Sequence, residues 1–556
     1  MFISTVVFLA IGCEKDKEEA DPPNQNNTCK ILYPIEGQEI IKGEATTITV
    51  EIGASDELIS EVVFLVDDIE KISLVSSPYT YNWSTTGELL GTHSLKVSCE
   101  ESGGFISSDV INIELVESNI PQNIYPSNLI NPSFLELQDF YDRGYDGING
   151  NLELTEIDGL LNMLTLSNIK TINGFLIVSQ NPDLISLEGL ENLTSIGGDL
   201  ILEHSRITNV DALSNLPNIN GNLHIFDNLL TNIDGLSSLT NIDGELLINY
   251  NHHLTNIDGL SNLESIGGDI LMSGNGSLTN IDGMSSLTSV EGGMGIGLND
   301  VLTNLDGLSN LTSSGGISIY ENSSLINIDG LSSLTSVDSI NISSNNSLTN
   351  LDGLSSLTSV GRGLNISGNS ALTSIDGLSS LTSVSGVLYL YDNNSLTNLD
   401  GLSSLTSVGG VLYLSNNNSL TSIDGLTNLT SIDGYLEIRS NSALTSIDGL
   451  SNLTSIDGGL NISINSTLTN LDGLSSLTSV GRGLGIFSNN SLTNLDGLSS
   501  LTSVGGELRL YGNNHLLDLC GIKPILTING VVGHTSIMNN LFNPTVSEII
   551  AGNCSQ

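Results

Sequence analysis

Positive charge is scarce in this chain. Its 556 residues carry 14 Lys and Arg against 62 Asp and Glu, a formal net charge of −48. No basic stripe exists to neutralise a phosphate backbone, which excludes nucleic acid as a partner. The same deficit excludes adsorption to anionic lipid through protein charge. Aromatic residues supply only 4% of the chain, and the abundance of Asn, Ser, Thr and Gly suits a stacked β structure with many turns. Apolar runs are short. Beyond FISTVVFLAIG at residues 2–12, nothing approaches the ~20 residues of a membrane-spanning helix, and no apolar C-terminal tail signals a GPI anchor. The seven histidines, His93, His204, His224, His252, His253, His515 and His534, stand in no nucleophile elbow and at no metal-ligand spacing. Catalysis therefore finds no support, and no cofactor is expected.

What is present is a repeat. The aspartates Asp352, Asp376, Asp400, Asp424, Asp448, Asp472 and Asp496 recur every 24 residues. Such a period means a solenoid, in which one coil cannot bury its apolar side without its neighbours. Counting the L-x-I strand by its first apolar residue gives seventeen coils, from Leu152 through Leu364 and Leu508 to Val532. In a typical coil Leu348, Leu351, Leu354, Leu357, Val360, Leu364 and Ile366 point inward as core. Parallel strands stack ~4.8 Å apart, so the rod should be roughly 80 Å long.

The string L-x-I-x-x-N-x-x-L, with L-D-G-L after it, resembles leucine-rich repeats of the receptor L-domain type over about residues 150–535. That resemblance implies a right-handed parallel β-solenoid, an architecture that hosts many partners. Upstream, ATTITVEI (45–52), SEVVFLVDD (60–68), YTYNW (79–83), HSLKVSCEE (93–101) and DVINIELV (109–116) alternate apolar and polar residues at period two. Turn residues separate them as in a sandwich. VVFLVDD, SSPYTYNW and GTHSLKVSCEESGG resemble bacterial Ig-like modules. The fold class expected is thus mostly β: an Ig-like β-sandwich, then the solenoid.

The start of the chain addresses it. The apolar run has the length of a signal h-region and ends in Ala10-Ile11-Gly12-Cys13, which resembles the lipobox of bacterial lipoproteins. The resemblance implies that Cys13 carries a diacylglyceryl group, although no Lys or Arg precedes the run. EKDKEEADPPNQNN at 14–27 is too polar to fold and reads as a flexible acidic tether. Acidic residues directly after the lipid cysteine resemble the signal that sends some Gram-negative lipoproteins to the outer surface. The remaining Cys29, Cys99, Cys520 and Cys554 form an even set in an exported chain. Pairing 29–99 and 520–554 is the economical arrangement.

The expected layout is residues 1–13 as signal and lipid cysteine, 14–27 as tether, 28–117 as the Ig-like sandwich and 118–132 as linker. Residues 133–147 follow as an N-terminal cap, with a helix after N-cap Ser133, then 148–519 as solenoid and 520–556 as a C-terminal cap. In that last cap Asn543-Pro544 should open a helix that Gly552 closes.

Three columns bear on function. Stacked aspartates ~4.8 Å apart repel by about 1 kcal/mol in water and 3–4 at an effective dielectric of 20. Each should cap the Gly-Leu-Ser-Ser-Leu turn by accepting backbone N–H bonds; calcium held between coils is the alternative. The asparagine column, Asn345 to Asn513, should form an amide ladder in which Asn also takes the left-handed φ it tolerates. Outward strand positions are mostly Gly, Ser, Asn or Asp, but Val387, Tyr389, Tyr391, Val411, Tyr413, Tyr435, Arg439, Phe487, Arg509 and Tyr511 break the monotony. Exposed aromatics beside Arg are usual anchors for a protein or glycan partner; the other reading is lateral stabilisation of the sheet by stacked Tyr. The reading carried forward is a cell-surface lipoprotein, lipid-anchored in a bacterial outer membrane, whose solenoid binds protein or glycan. A spacer without a ligand and a carbohydrate-capture module are its alternatives.

Overall fold

The computed structural model describes residues 29–41, 45–52, 59–77, 79–85, 88–101, 106–116 and 123–556. Cys13 and the tether lie outside the described residues. The chain divides into two units, Met1–Gln122 and Asn123–Gln556.

The first unit is a sandwich. One sheet holds Cys29–Tyr33, Ala45–Ile52 and Thr80–Ser84; the other holds Glu39–Ile41, Ile59–Val66, Ile69–Leu74, Gly91–Glu101 and Ile106–Val116. Period-two alternation sends Val62, Phe64, Val66, Leu95, Val97 and Ile113 inward, against Trp83. The strand expected over 60–68 ends instead at Val66. Asp67 and Asp68 both take positive φ, 50° and 61°, and turn the chain back into Ile69–Leu74. Two consecutive left-handed residues form the hairpin turn that matches strand twist, and Asp tolerates it. Beside this turn His93 is buried, with Nδ1 2.6 Å from Asp67 Oδ2 and Nε2 2.6 Å from the Leu89 carbonyl. Burial acts to lower the His93 pKa, but the Leu89 carbonyl and the Asp67 carboxylate outweigh it and the pKa is raised. Cys99 is buried in the same core; the side chain of Cys29, its expected partner, lies outside the described residues.

The second unit is a stack of coils sharing one 31-stranded parallel sheet. In four successive coils, from Ser289–Gly297 to Ser359–Ser367, one strand runs unbroken; most coils contribute a short strand such as Ser383–Val384 and a longer one such as Val387–Tyr391. A 3₁₀ turn, Asp376–Leu378 in this coil, precedes both. All seven residues expected to face inward from 348 to 366 are fully buried. The 23-residue coils keep register, Leu200 opposite Leu223 and Leu223 opposite Leu246.

The ends differ from expectation. The linker expected over 118–132 is already solenoid in its second half. Ile124–Tyr125 pairs with Gly147–Ile148, and Leu129–Ile130 pairs with Leu152–Glu153, because Leu129 supplies the apolar residue the first strand needs. Helix Phe134–Asp142 follows N-cap Ser133 and its capping box with Glu136, and buries Leu137 and Phe140 over the first coil. At the far end Leu508 pairs with Thr535, not Val532. The helix Lys523–Thr527 lengthens this coil, so Val532 falls before the strand and is 79% exposed. The last helix, Val546–Ala551, is capped by Thr545 with Glu548, not by Asn543, and ends at Gly552 in the left-handed conformation. Cys520 and Cys554 are disulfide-bonded across this cap.

The asparagine ladder is present and longer than expected. Asn369 is fully buried; its Nδ2 donates to the Ile342 carbonyl at 2.9 Å, and its Oδ1 accepts the Asn345 N–H at 3.0 Å. The same bonding runs from Asn251, whose Oδ1 accepts the Asn228 N–H, to Asn513 and ends on Asn540, which Asn543 holds in turn. The left-handed φ belongs to the residue before each asparagine, as in Asp392, Asn416, Ser440 and Ile464. The ladder amide must aim across the turn into the core, and only its predecessor can make the reversal.

Candidate binding face of the solenoid

The aspartate column does not cap its turns. The carboxylate of Asp352 makes no hydrogen bond to the turn, while Asn350 Oδ1 accepts the Asp352 N–H at 3.0 Å. Asn or Ser two residues upstream repeats this role in coil after coil, with Ser374 and Asn398 as further instances. An Asx-type acceptor two residues before the turn reaches the free N–H that the Asp side chain, on the outer rim, cannot. The aspartates are left exposed as a row of charge. Partial burial first, then Asp306 and Asp258, raise the pKa of Asp282; partial burial, then Asp352 and Asp306, do the same for Asp329. Among the described residues no group of three His, Cys, Asp or Glu is placed to hold a metal ion.

The outward aromatic residues separate into two groups. Tyr389 and Tyr413 are register partners, with ring centroids 5.8 Å apart and planes at 76°. Tyr391 meets Tyr413 at 6.0 Å and 72°. Edge-to-face packing suits the ring quadrupoles. It makes these three tyrosines a self-contained cluster and not the flat platform that equivalent positions would give.

Tyr435 belongs to the second group. It occupies the neighbouring column and is 42% exposed. Its ring lies over Gly459: a Cβ there would stand 2.7 Å from Tyr435 Cε1. Arg482 reaches back across that coil, donating from Nη1 to the Tyr435 hydroxyl at 2.8 Å with its guanidinium carbon 5.4 Å from the ring centre. Two coils on, Phe487 stacks on Tyr511 at 5.7 Å and 28°, and Arg509 pairs with Glu507. A hollow of about 340 Å³ lies between, lined by Tyr435, Asn461, Phe487, Glu507 and Arg509 and floored by Gly459, Gly483 and Gly485. Of the expected face, Tyr435, Phe487 and Arg509 line the hollow and Tyr511 backs Phe487. Arg439, opposite Ser415 and Ser463, is exposed and is not part of its lining. Asn461 gives Nδ2 to Glu437 Oε1 at 3.3 Å and leaves its buried Oδ1 without a partner.

Sequence reasoning missed the glycines, Arg482 and Glu507. The signal was there: in a parallel stack an outward glycine one coil from an aromatic is a seat for that ring. Tyr250 over Gly274 and Tyr320 over Gly297 repeat the device. A second hollow of about 420 Å³ opens where Gly293, Gly295 and Gly316 follow one another beside Leu271 and Asp269.

Comparison with known proteins agrees with this architecture. The bacterial Ig domain matches residues 28–97, the receptor L domain matches 146–218, and the BspA type leucine-rich repeat region matches in six copies across 367–460 and 387–514. The chain is an Ig-like module followed by a leucine-rich-repeat solenoid of receptor L-domain character. A search of curated proteins finds no match. Modules of these kinds are typical of non-enzymatic recognition proteins.

Proposed function

We propose that this is an exported lipoprotein, anchored through Cys13 at the bacterial outer surface, whose solenoid recognises a protein or glycan. The observation that carries the reading is the hollow between Tyr435 and Phe487. Many outward positions hold Gly, Ser, Asn or Asp, yet within a few coils two aromatics, an arginine and a glutamate line about 340 Å³ of open space. Sites for small ligands and side chains typically occupy ~300–1,000 Å³ with a few convergent polar groups on an apolar or aromatic lining. A spacer without a ligand needs no such interruption of its repeat.

Two experiments test the parts separately. Cys13→Ala should release the chain from the membrane fraction and abolish lipid labelling; full retention in membranes refutes the anchor. The full chain should bind a partner on protein and glycan arrays, and a triple Tyr435→Ser, Phe487→Ser, Arg509→Ser variant should lose it while keeping its circular dichroism. Wild-type chain that binds nothing on either array refutes recognition in favour of a spacer.

A further inference from the structure

We infer that the hollow between Tyr435 and Phe487 is a sugar-binding site for an uncharged glycan, with Phe487 as stacking wall; this rests on the recognition reading above. Phe487 has two neighbours in its column, Ser463 before it and Tyr511 after it. Tyr511 covers one face at 5.7 Å. On the other side Ser463 is too small to cover a ring, so that face looks toward the hollow. Gly485 holds the arrangement, because a methyl group there would collide with the Phe487 ring. An exposed ring face with polar groups at its edge suits a pyranose, whose axial C–H bonds form an apolar patch bordered by hydroxyls.

The polar groups match in kind. Each sugar hydroxyl donates and accepts, so a site needs both functions close together. Glu507 accepts and Arg509 donates, both from the lining of the hollow. Glu507 and Arg509 neutralise one another, and Arg482, whose charge the neutral Tyr435 does not cancel, stands outside the lining of the hollow. The hollow therefore offers no unopposed positive charge to a uronate or sialate. The chain around it carries −48, which repels an acidic polymer at range. A peptide strand is a poorer occupant, since the parallel sheet beneath pairs Leu460–Ser463 with strands on both sides and leaves no edge to extend. Tyr435 and Phe487 stand two coils apart, ~10 Å, and the three glycines keep the floor between them clear. That span fits adjoining residues of an oligosaccharide better than one monosaccharide.

The test uses the full chain and immobilised gluco-, manno-, galacto- and xylo-hexaoses, with uronate hexaoses beside them. At least one neutral hexaose should bind, and its monosaccharide should bind less well. Phe487→Ala and Tyr435→Ala should each weaken binding by about tenfold or more. Gly485→Ala should do the same with every polar group intact, because it displaces the ring. Tyr389→Ala, in the separate cluster, should change nothing, and all four variants should keep the wild-type melting profile. Tighter binding of the uronates, or neutral binding indifferent to Phe487→Ala and Gly485→Ala, overturns the assignment. A protein ligand lost in the Phe487→Ala variant, with no sugar bound by wild type, overturns the glycan and leaves recognition standing. Wild type inert toward sugars and proteins alike overturns both.

Discussion

Asn369→Ala should cut the stability of the solenoid locally and by about 1–3 kcal/mol. The side chain is fully buried and serves two neighbours: it donates to the Ile342 carbonyl at 2.9 Å and accepts the Asn345 N–H at 3.0 Å. Alanine leaves the Asn345 N–H buried without a partner and no room prepared for water, while the Ile342 carbonyl, inside a strand paired with Ser359–Ser367, keeps its ladder bond. A buried polar group that loses its partner costs about 1–3 kcal/mol, which sets the size of the expected loss. The exposed Asn394, one residue past the next rung, provides the control; its alanine variant should stay within about 0.5 kcal/mol of wild type. Because each coil contacts only its neighbours, the loss falls on one interface and not evenly along the rod. Hydrogen exchange read by mass spectrometry should show residues 340–393 deprotected while 484–511 keep wild-type protection. Urea unfolding should become broader or acquire a second step. Unchanged protection in 340–393, with a midpoint equal to that of Asn394→Ala, would refute the view that the ladder bonds hold the coils together.

Three further outcomes follow from the coils and their end. The folded pKa of Asp282 and Asp329 is raised, so between the unfolded and folded values the native state binds more protons than the unfolded chain, and their contribution to stability falls as pH rises through that window; Asp282→Asn with Asp329→Asn should raise the melting temperature at pH 7 and reduce its gain with added salt, EDTA should leave it unmoved, and equal salt response in variant and wild type would count against repulsion along the row. Ile464 sits at φ 59°, where a β-branched residue is strained by about 1–3 kcal/mol; Ile464→Asn, copying Asn416, should recover about 1 kcal/mol in urea titration. Cys520 and Cys554 are 34 residues apart, and replacing both with Ser should cost about 3–4 kcal/mol in the C-terminal cap, read as faster exchange over 513–556.

The coils were readable because their information is periodic. Leu348 to Ile366 repeat with the chain's own spacing, and any residue that recurs on one side of a parallel stack must share one environment. The chain ends and turns were less readable because single residues decide them. Leu129 extends the sheet into what composition marks as linker, and the helix Lys523–Thr527 displaces the last strand past Val532. The aspartate reading failed for a similar reason. A conspicuous Asp next to Gly looks like a cap, but the side chain two residues upstream is nearer the orphan N–H. At the candidate site the aromatics were visible and their seats were not. Glycine carries no side chain to notice, yet Gly459 and Gly485 decide where the Tyr435 and Phe487 rings rest.

The near-identity of the coils has a consequence for inheritance. Blocks such as 372–395 and 396–419 are interchangeable at both interfaces, since each presents the same buried leucines and the same ladder amide to the next. A gain or loss of whole coils would leave both caps and every register intact. It would move the hollow along the rod in steps of ~4.8 Å from the capping helix. The hollow itself draws on the unlike coils from Tyr435 to Arg509 and is erased by deleting any one of them. Reach and recognition are thus inherited by different parts of one sheet, the first free to vary in number and the second only by substitution.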